Sequence, residues 1–225
     1  MPHPSSAGEG AVSPRPRKAS DAEIFAATQD VMVRLGPSQW TLADVAGAAG
    51  VTASALVQRF GSKRGLMIAL ARAAAAETPA RFAALRAAHR SPLAAVGAYA
   101  ASMATMGEAP EGLAHHLGYL QLDLSDPELH GHVRAQARAT RAAVRDLLAA
   151  AIAAGELTAD ADPAALARAV EVAVAGSLLT WAIHQEGTAA RRVRADVDAV
   201  LAPWLAGAAG AASATRAGPR RRSGS

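Results

Sequence analysis

Apolar residues in the first third of the chain recur at helical spacing and never alternate as a strand would. Ile24, Thr28, Val31 and Leu35 fall at i, i+4, i+7 and i+11, with Phe25 and Met32 beside them. They predict a helix that begins at the N-cap Ser20 and stops at Gly36-Pro37. Asp21 and Glu23 in its first turn suit the positive end of the helix dipole. A second, shorter pattern follows. Leu42, Val45 and Ala46 share one face, and Thr41 caps that helix with Asp44 at its third position, close to a capping box. Gly50 stands where the chain must turn sharply, Val51 follows as an apolar plug, and Thr52 caps a third helix running to about Arg59. The small residues Ala46, Ala49 and Ala53 permit close approach of the two short helices. A short helix pair joined by a glycine-containing turn is the helix-turn-helix unit, whose second helix enters a DNA major groove.

From Ser62, a further N-cap, the pattern stays helical to about residue 206, with breaks at Pro79, Ser91-Pro92, Gly107 to Gly112, Ser125-Asp126-Pro127, Gly155, Asp162-Pro163 and Gly187. About six more helices result. Asp126-Pro127 and Asp162-Pro163 each pair an N-cap with proline at the first helical position. They predict a seventh helix over 127–154, stopped by Gly155, and an eighth over 163–185, with a ninth over 189–206. The fold class is therefore all-α. Four segments are expected: a disordered basic arm (1–18), a helix-turn-helix domain (19–72, motif 41–60), a helical domain for effector binding and dimerisation (73–206), and a disordered basic tail (207–225).

Composition supports the helices, because much of the 51% apolar content is alanine, the strongest helix former. No cysteine is present, which removes disulfides, thiolate catalysis and cysteine metal sites together. The first 18 residues lack the apolar run of a signal peptide, and no long stretch of large apolar residues marks a membrane span. A cytoplasmic, nucleoid-associated protein with no membrane partner is expected. Charge is unevenly placed: residues 1–72 carry eight Arg/Lys against five Asp/Glu, residues 73–205 eleven against fourteen, and the last twenty four Arg and no acid. A basic front on an acidic body points to a polyanionic partner. The excess of Arg over Lys, 21 to 2, is what a GC-rich coding genome would give at surface positions.

Residues 22–70 resemble the DNA-binding domain of TetR-family (tetracycline-repressor-like) transcriptional regulators. The resemblance rests on Gly36, Thr41, Asp44, Val45, Ala46, Ala49, Gly50, Val51, Leu56, Phe60, Ser62 and Lys63 in fixed spacing. The chain departs from the family pattern at Ser54, where Gly is common, at Val57, where a phosphate-touching Tyr is usual, and at Arg59, where His is common. The resemblance implies a homodimeric regulator bound to a palindromic double-stranded operator, most simply a repressor released by a small apolar or amphipathic effector. The alternatives are a ligand-independent DNA-organising protein of the same fold and a helical enzyme using a histidine-rich middle.

Site residues follow from that frame. DNA contacts are expected from Thr41, Thr52, Ala53, Ser54, Gln58, Arg59 and Lys63, with Gln58 matched to adenine and Arg59 to phosphate or guanine. Lys63 and Arg64 stand in the first turn of a helix, where the dipole disfavours cations, so an anion from outside is expected, with Lys63 as a phosphate clamp. The effector pocket is expected to be lined by Met103, Met106, Leu113, His116, Leu117, Leu120, Trp181 and His184. The dimer interface is expected at Val170, Val174, Leu178, Val197, Leu201 and Trp204. No cofactor, metal or catalytic residue is expected. His115-His116 and His130-x-His132 lack the i, i+3 or i+4 spacing of helical metal pairs, and no phosphate loop, nucleophile elbow or supported acidic dyad is present.

Overall fold

The computed structural model describes residues 19–107 and 109–207. The arm expected over 1–18 and the tail beyond Gly207 lie outside the described residues. Among those described, nine α-helices follow one another: α1 (Asp21–Gln39), α2 (Leu42–Ala49), α3 (Ala53–Phe60), α4 (Lys63–Ala88), α5 (Pro92–Met103), α6 (Pro110–Ser125), α7 (Pro127–Ala153), α8 (Pro163–His184) and α9 (Ala189–Leu201). One isolated bridge, Leu157 to Leu205, is the only β pairing among them. The fold is all-α, as the apolar spacing predicts.

The expected caps are formed. Ser20 and Thr41 each make a full capping box, with Glu23 and Asp44 respectively. Asp126 accepts from the Glu128 and Leu129 backbones, and Asp162 from that of Ala164. Two breaks differ from expectation. Pro79 lies inside a continuous α4. Its exposed position lets water satisfy the carbonyl it leaves unpaired, while buried Thr78 and Phe82 hold that stretch in place. At Gly36 (φ 69°, ψ 176°) α1 kinks rather than ends, and one more turn carries Pro37 to Gln39.

Two apolar clusters organise the chain. Ile24, Val31, Trp40, Val45, Leu56 and Leu66 form the core of a head, closed from below by Tyr119 of α6 and Leu129 of α7. A body core contains Phe82, Val96, Leu148, Val170, Val193 and Val197, among others, drawn from α4, α5, α7, α8 and α9. The boundary expected after residue 72 falls within α4. Its first half gives Leu66 and Met67 to the head, and its second half gives Phe82 to the body. One stiff helix thus belongs to both units.

Head and body also meet along a seam between α1 and α6. His115 Nδ1 donates to the Val33 carbonyl (2.8 Å) and the Tyr119 hydroxyl to that of Met32 (3.4 Å). The seam is close because two glycines permit it. A Cβ on Gly36 would lie 2.6 Å from His115 Cδ2, and one on Gly118 would lie 2.8 Å from Pro37 Cγ. Gly36 additionally needs its positive φ. Gly36→Ala is therefore expected to lower the melting temperature by several degrees, a cost of more than about 1 kcal/mol. Helical Gly47, with open space around its Cα, is the control. Gly47→Ala is expected to raise stability by up to about 1 kcal/mol. Calorimetry of both variants checks the pair.

Candidate nucleic-acid interface

The turn between α2 and α3 is built as the local sequence demands. Gly50 adopts the left-handed conformation (φ 66°, ψ 31°), and the Val51 N–H returns to the Ala46 carbonyl at 3.0 Å. Val51 packs partly into the head core. Thr52 Oγ1 then accepts from the Ala55 N–H and sits 3.1 Å from the Ser54 hydroxyl. Leu56 is the one fully buried side chain of α3 and anchors it. Burying a leucine of this kind contributes roughly 1.5–3 kcal/mol. With Leu56 turned inward, Thr52, Ser54, Ala55, Val57, Gln58 and Arg59 are left exposed.

That outward face contains three expected DNA contacts with little to restrain them: Thr52, Ser54 and Gln58. Gln58 makes no hydrogen bond among the described residues, so its amide is free for a base edge. Ala53 is half-buried between α3 and the core. Thr41 is exposed, but its hydroxyl donates to Asp44 Oδ2 (2.7 Å) and accepts from the Asp44 N–H. Those bonds, from the Thr41 side chain first and its backbone second, hold the Asp44 carboxyl below the ordinary carboxylate range. Val57, 48% exposed, presents methyl groups on the same face. A thymine methyl is the base feature such a group can meet.

The cations are placed differently from the sequence expectation. Arg59 turns back along the head, where Nη1 donates to the Ala19 carbonyl (2.9 Å) and Nε pairs with Asp21 (2.7 Å). It ties the end of α3 to the start of α1. Lys63 points inward as well. Its ammonium donates to the carbonyls of Pro37 (3.1 Å) and Trp40 (2.7 Å) and lies 4.3 Å from the Trp40 ring centroid. Partial burial lowers its pKa from the ordinary lysine value. The geometry thus makes Lys63 a staple across the kinked end of α1 rather than a free clamp. Arg64 finds its anion inside the molecule: Nε and Nη2 grip Asp126 (2.6 and 2.9 Å), and Nη2 also reaches Glu128 (2.9 Å). The Arg64 guanidinium holds the Asp126 carboxyl down to about 2.

Trp40 is the buried residue of the head that sequence reasoning passed over. It is buried beneath Lys63, and its indole N–H makes no well-formed hydrogen bond among the described residues, although it acts on the nearby Tyr119 hydroxyl. Its signal was its place: Trp40 precedes the Thr41 cap and Val45 is the fourth helical residue, the two positions of a hydrophobic staple. Tyr119 lies close enough to Trp40 for the indole to oppose the effect of burial, which still pushes the phenol up to about 12.

A cleft of about 280 Å³ opens beside the seam, between α1, α4, α6 and α7. Met32, Val33, Met67, Leu70, Leu129 and Val133 supply its apolar walls, and Gln29, His116, Asp123 and Gln136 its polar groups. Of the expected pocket residues only His116 lines it. Leu113 and Trp181 are buried in the body core, where the Trp181 indole donates to the Gly187 carbonyl, and Met103 packs against that core. Leu117, Leu120 and His184 are exposed outside the cleft, and the side chain of Met106 is not among those described. Expected dimer residues are corrected likewise. Val170, Val174, Leu178, Val197 and Leu201 are buried between α8 and α9 of one chain, and Trp204 packs beside them. The helix phase that turns them inward leaves Val172, Leu179 and Ile183 outside, at 71%, 45% and 76% exposure.

Two family models match this arrangement: bacterial regulatory proteins of the tetR family over residues 24–70, and the tetracyclin repressor-like C-terminal domain over 118–197. Together they cover 127 residues of 225 (47 plus 80), in the head and the body respectively. The chain belongs to the TetR family. It is a DNA-binding transcriptional regulator, and the structural comparisons agree on its fold. A TetR transcription regulator from Haloarcula marismortui matches with a TM-score of 0.66 at 15% identity, covering 82% of this chain and 97% of its own. FadR from Bacillus subtilis, solved in complex with stearoyl-CoA, matches with a TM-score of 0.61 at 16% identity (81% and 98% covered). SmeT, the repressor of the Stenotrophomonas maltophilia multidrug efflux pump SmeDEF, matches with a TM-score of 0.58 at 20% identity (84% and 91%). Curated protein sequences give no significant match.

The Lys63 geometry in this TetR-family head separates two roles by experiment. Lys63→Ala is expected to cost about 1 kcal/mol of stability through the lost carbonyl bonds. The slope of log affinity against log salt should stay unchanged in a DNA titration, because no phosphate contact is removed. A slope flattened by about one unit would restore the clamp.

Proposed function

We propose that this protein is a homodimeric repressor whose hold on a palindromic operator is released by a small molecule in the cleft between α1, α4, α6 and α7. The observation that carries the reading is the position of that cleft. Gln29, Met32 and Val33 on one side belong to α1, while His116, Tyr119 and Asp123 on the other belong to α6. These are the two helices of the head–body seam. A molecule between them touches both, so its binding energy acts on the angle at which the head is carried. Release is then linkage: a ligand with higher affinity for one head spacing weakens DNA binding by that difference in affinity.

In this reading α3 enters the major groove with Thr52, Ser54, Val57 and Gln58 facing the bases. Arg59, Lys63 and Arg64 hold the head together and to the body. Two heads are needed for a two-half-site operator, and α8 supplies a surface to pair them. Val172, Leu179 and Ile183 lie at i, i+7 and i+11 of one exposed stripe, with Gly176 at i+4. The helix is long and apolar enough to cross a membrane, because its two faces are both apolar: one fills the body core, the other is left for a partner copy. Gly176 would let two backbones approach closely.

The test combines selection of bound fragments from a random duplex library with sedimentation. The native chain should sediment as a dimer and return a palindrome. The Leu179→Asp/Ile183→Asp double variant, altered only at exposed positions, should sediment as a monomer and lose affinity for that palindrome by at least about a hundredfold, since half of the contacts are gone. A native chain that selects a single asymmetric half-site as a monomer contradicts the reading.

A further inference from the structure

The cleft has an uneven chemistry that its apolar walls make consequential. Among the described residues that line it, none is Lys or Arg. Its one carboxylate, Asp123, is half-buried and has no hydrogen-bond or ion-pair partner among the described residues. Other acidic groups nearby are spoken for: Asp126 and Glu128, at the α6–α7 corner, are both held by Arg64. The imidazole of His115 is committed through Nδ1 to the Val33 carbonyl, and the Tyr119 hydroxyl to that of Met32. Burial raises the Asp123 carboxyl above the ordinary carboxylate range, opposed by the charge of His116. A carboxylate in such a place bears a desolvation cost that no hydrogen bond or ion pair among the described residues offsets, leaving His116 as the one group that opposes it.

We propose, resting on the reading of this cleft as the effector site, that it selects small amphiphiles with a positively charged head, an alkylammonium group pairing with Asp123 while its chain lies along Met32, Met67, Leu70 and Val133. The sign of the head group follows from the lining. An anionic head, whether carboxylate or phosphate, would find no Lys or Arg in the lining and would compete with Asp123 for His116. A neutral alcohol can donate one hydrogen bond to the carboxylate but brings no opposite charge. A protonated amine donates to the carboxylate and also supplies the opposite charge, so the hydrogen bond is reinforced by an ion pair in a partly dry site. The volume of about 280 Å³ falls just below the usual range of small-molecule sites, roughly 300–1,000 Å³, so the chain should be short. The two cleft methionines adapt to chain shape, leaving discrimination to the head group.

Titration calorimetry of the full chain with octylammonium, octanol and octanoate isolates the head group, because the three share one apolar body. Octylammonium is expected to bind about tenfold tighter than octanol, and octanoate more weakly than either. Asp123→Asn should erase the tenfold preference while octanol affinity stays the same, and Asp123→Glu should retain it. Equal binding of octylammonium and octanol, or tightest binding of octanoate, overturns the charge selection and leaves the effector cleft standing. Failure of all three to bind overturns both together. A preference unchanged in Asp123→Asn removes Asp123 from the site.

Discussion

The arrangement of this protein depends on how closely α1 and α6 approach. The closeness of their seam is set by two missing side chains, at Gly36 and Gly118. Through the first gap the His115 ring reaches the end of α1 and bonds to the Val33 carbonyl; through the second the Pro37 ring lies against α6. Close-packed contacts of this type have little tolerance, because a gap or an overlap of half an ångström already forfeits much of their attraction. The head is therefore seated in one position while the seam is intact. The cleft shares its walls with the same two helices, so occupancy there and head position are coupled.

A second connection runs through the first turn of α4. Two cations there oppose the helix dipole, and each has an answer within the chain. Lys63 caps carbonyls left at the kinked end of α1, and Arg64 grips the carboxylates at the corner of α6 and α7. The second contact is half-exposed, and surface pairs contribute little individually. Its bidentate geometry matters more for direction than for energy. It fixes the rotation of α4, the helix shared by both cores. Asp126 is protonated only near pH 2 in the folded chain, against about 4 when unfolded, so its contribution is full above about pH 4 and fades as pH falls through 2.

Much of the head was legible in the sequence because its determinants are local. Ser20, Thr41, Thr52 and Ser62 sit at helix starts, the first two with an acidic residue three positions on, and Gly50 marks the left-handed turn between α2 and α3. The helices of the body were legible for the same reason, from Asp126-Pro127 and Asp162-Pro163. What was not legible was the phase of those helices and the partners of their charges. Helix α8 is apolar all round, so spacing could not tell Val174, which faces α9, from Val172, which faces out. Likewise Arg64 and Asp126 are 62 residues apart, and no local rule links them. The cleft escaped for that reason too: its walls come from four helices, and of the residues expected to line a pocket only His116 belongs to it.

The central claim is that the α1–α6 seam fixes how the head is carried on the body. The chain has no native cysteine, so spin labels can be placed by substitution at two exposed sites, Ala55→Cys on α3 and Ala149→Cys on α7. Electron–electron double resonance then reads the head-to-body distance in one protomer diluted with unlabelled chain. The account expects a single narrow distribution in the chain with Gly118, and a shifted or broadened one when Gly118→Leu forces Pro37 away from α6. Superimposable distributions in the two chains would contradict it.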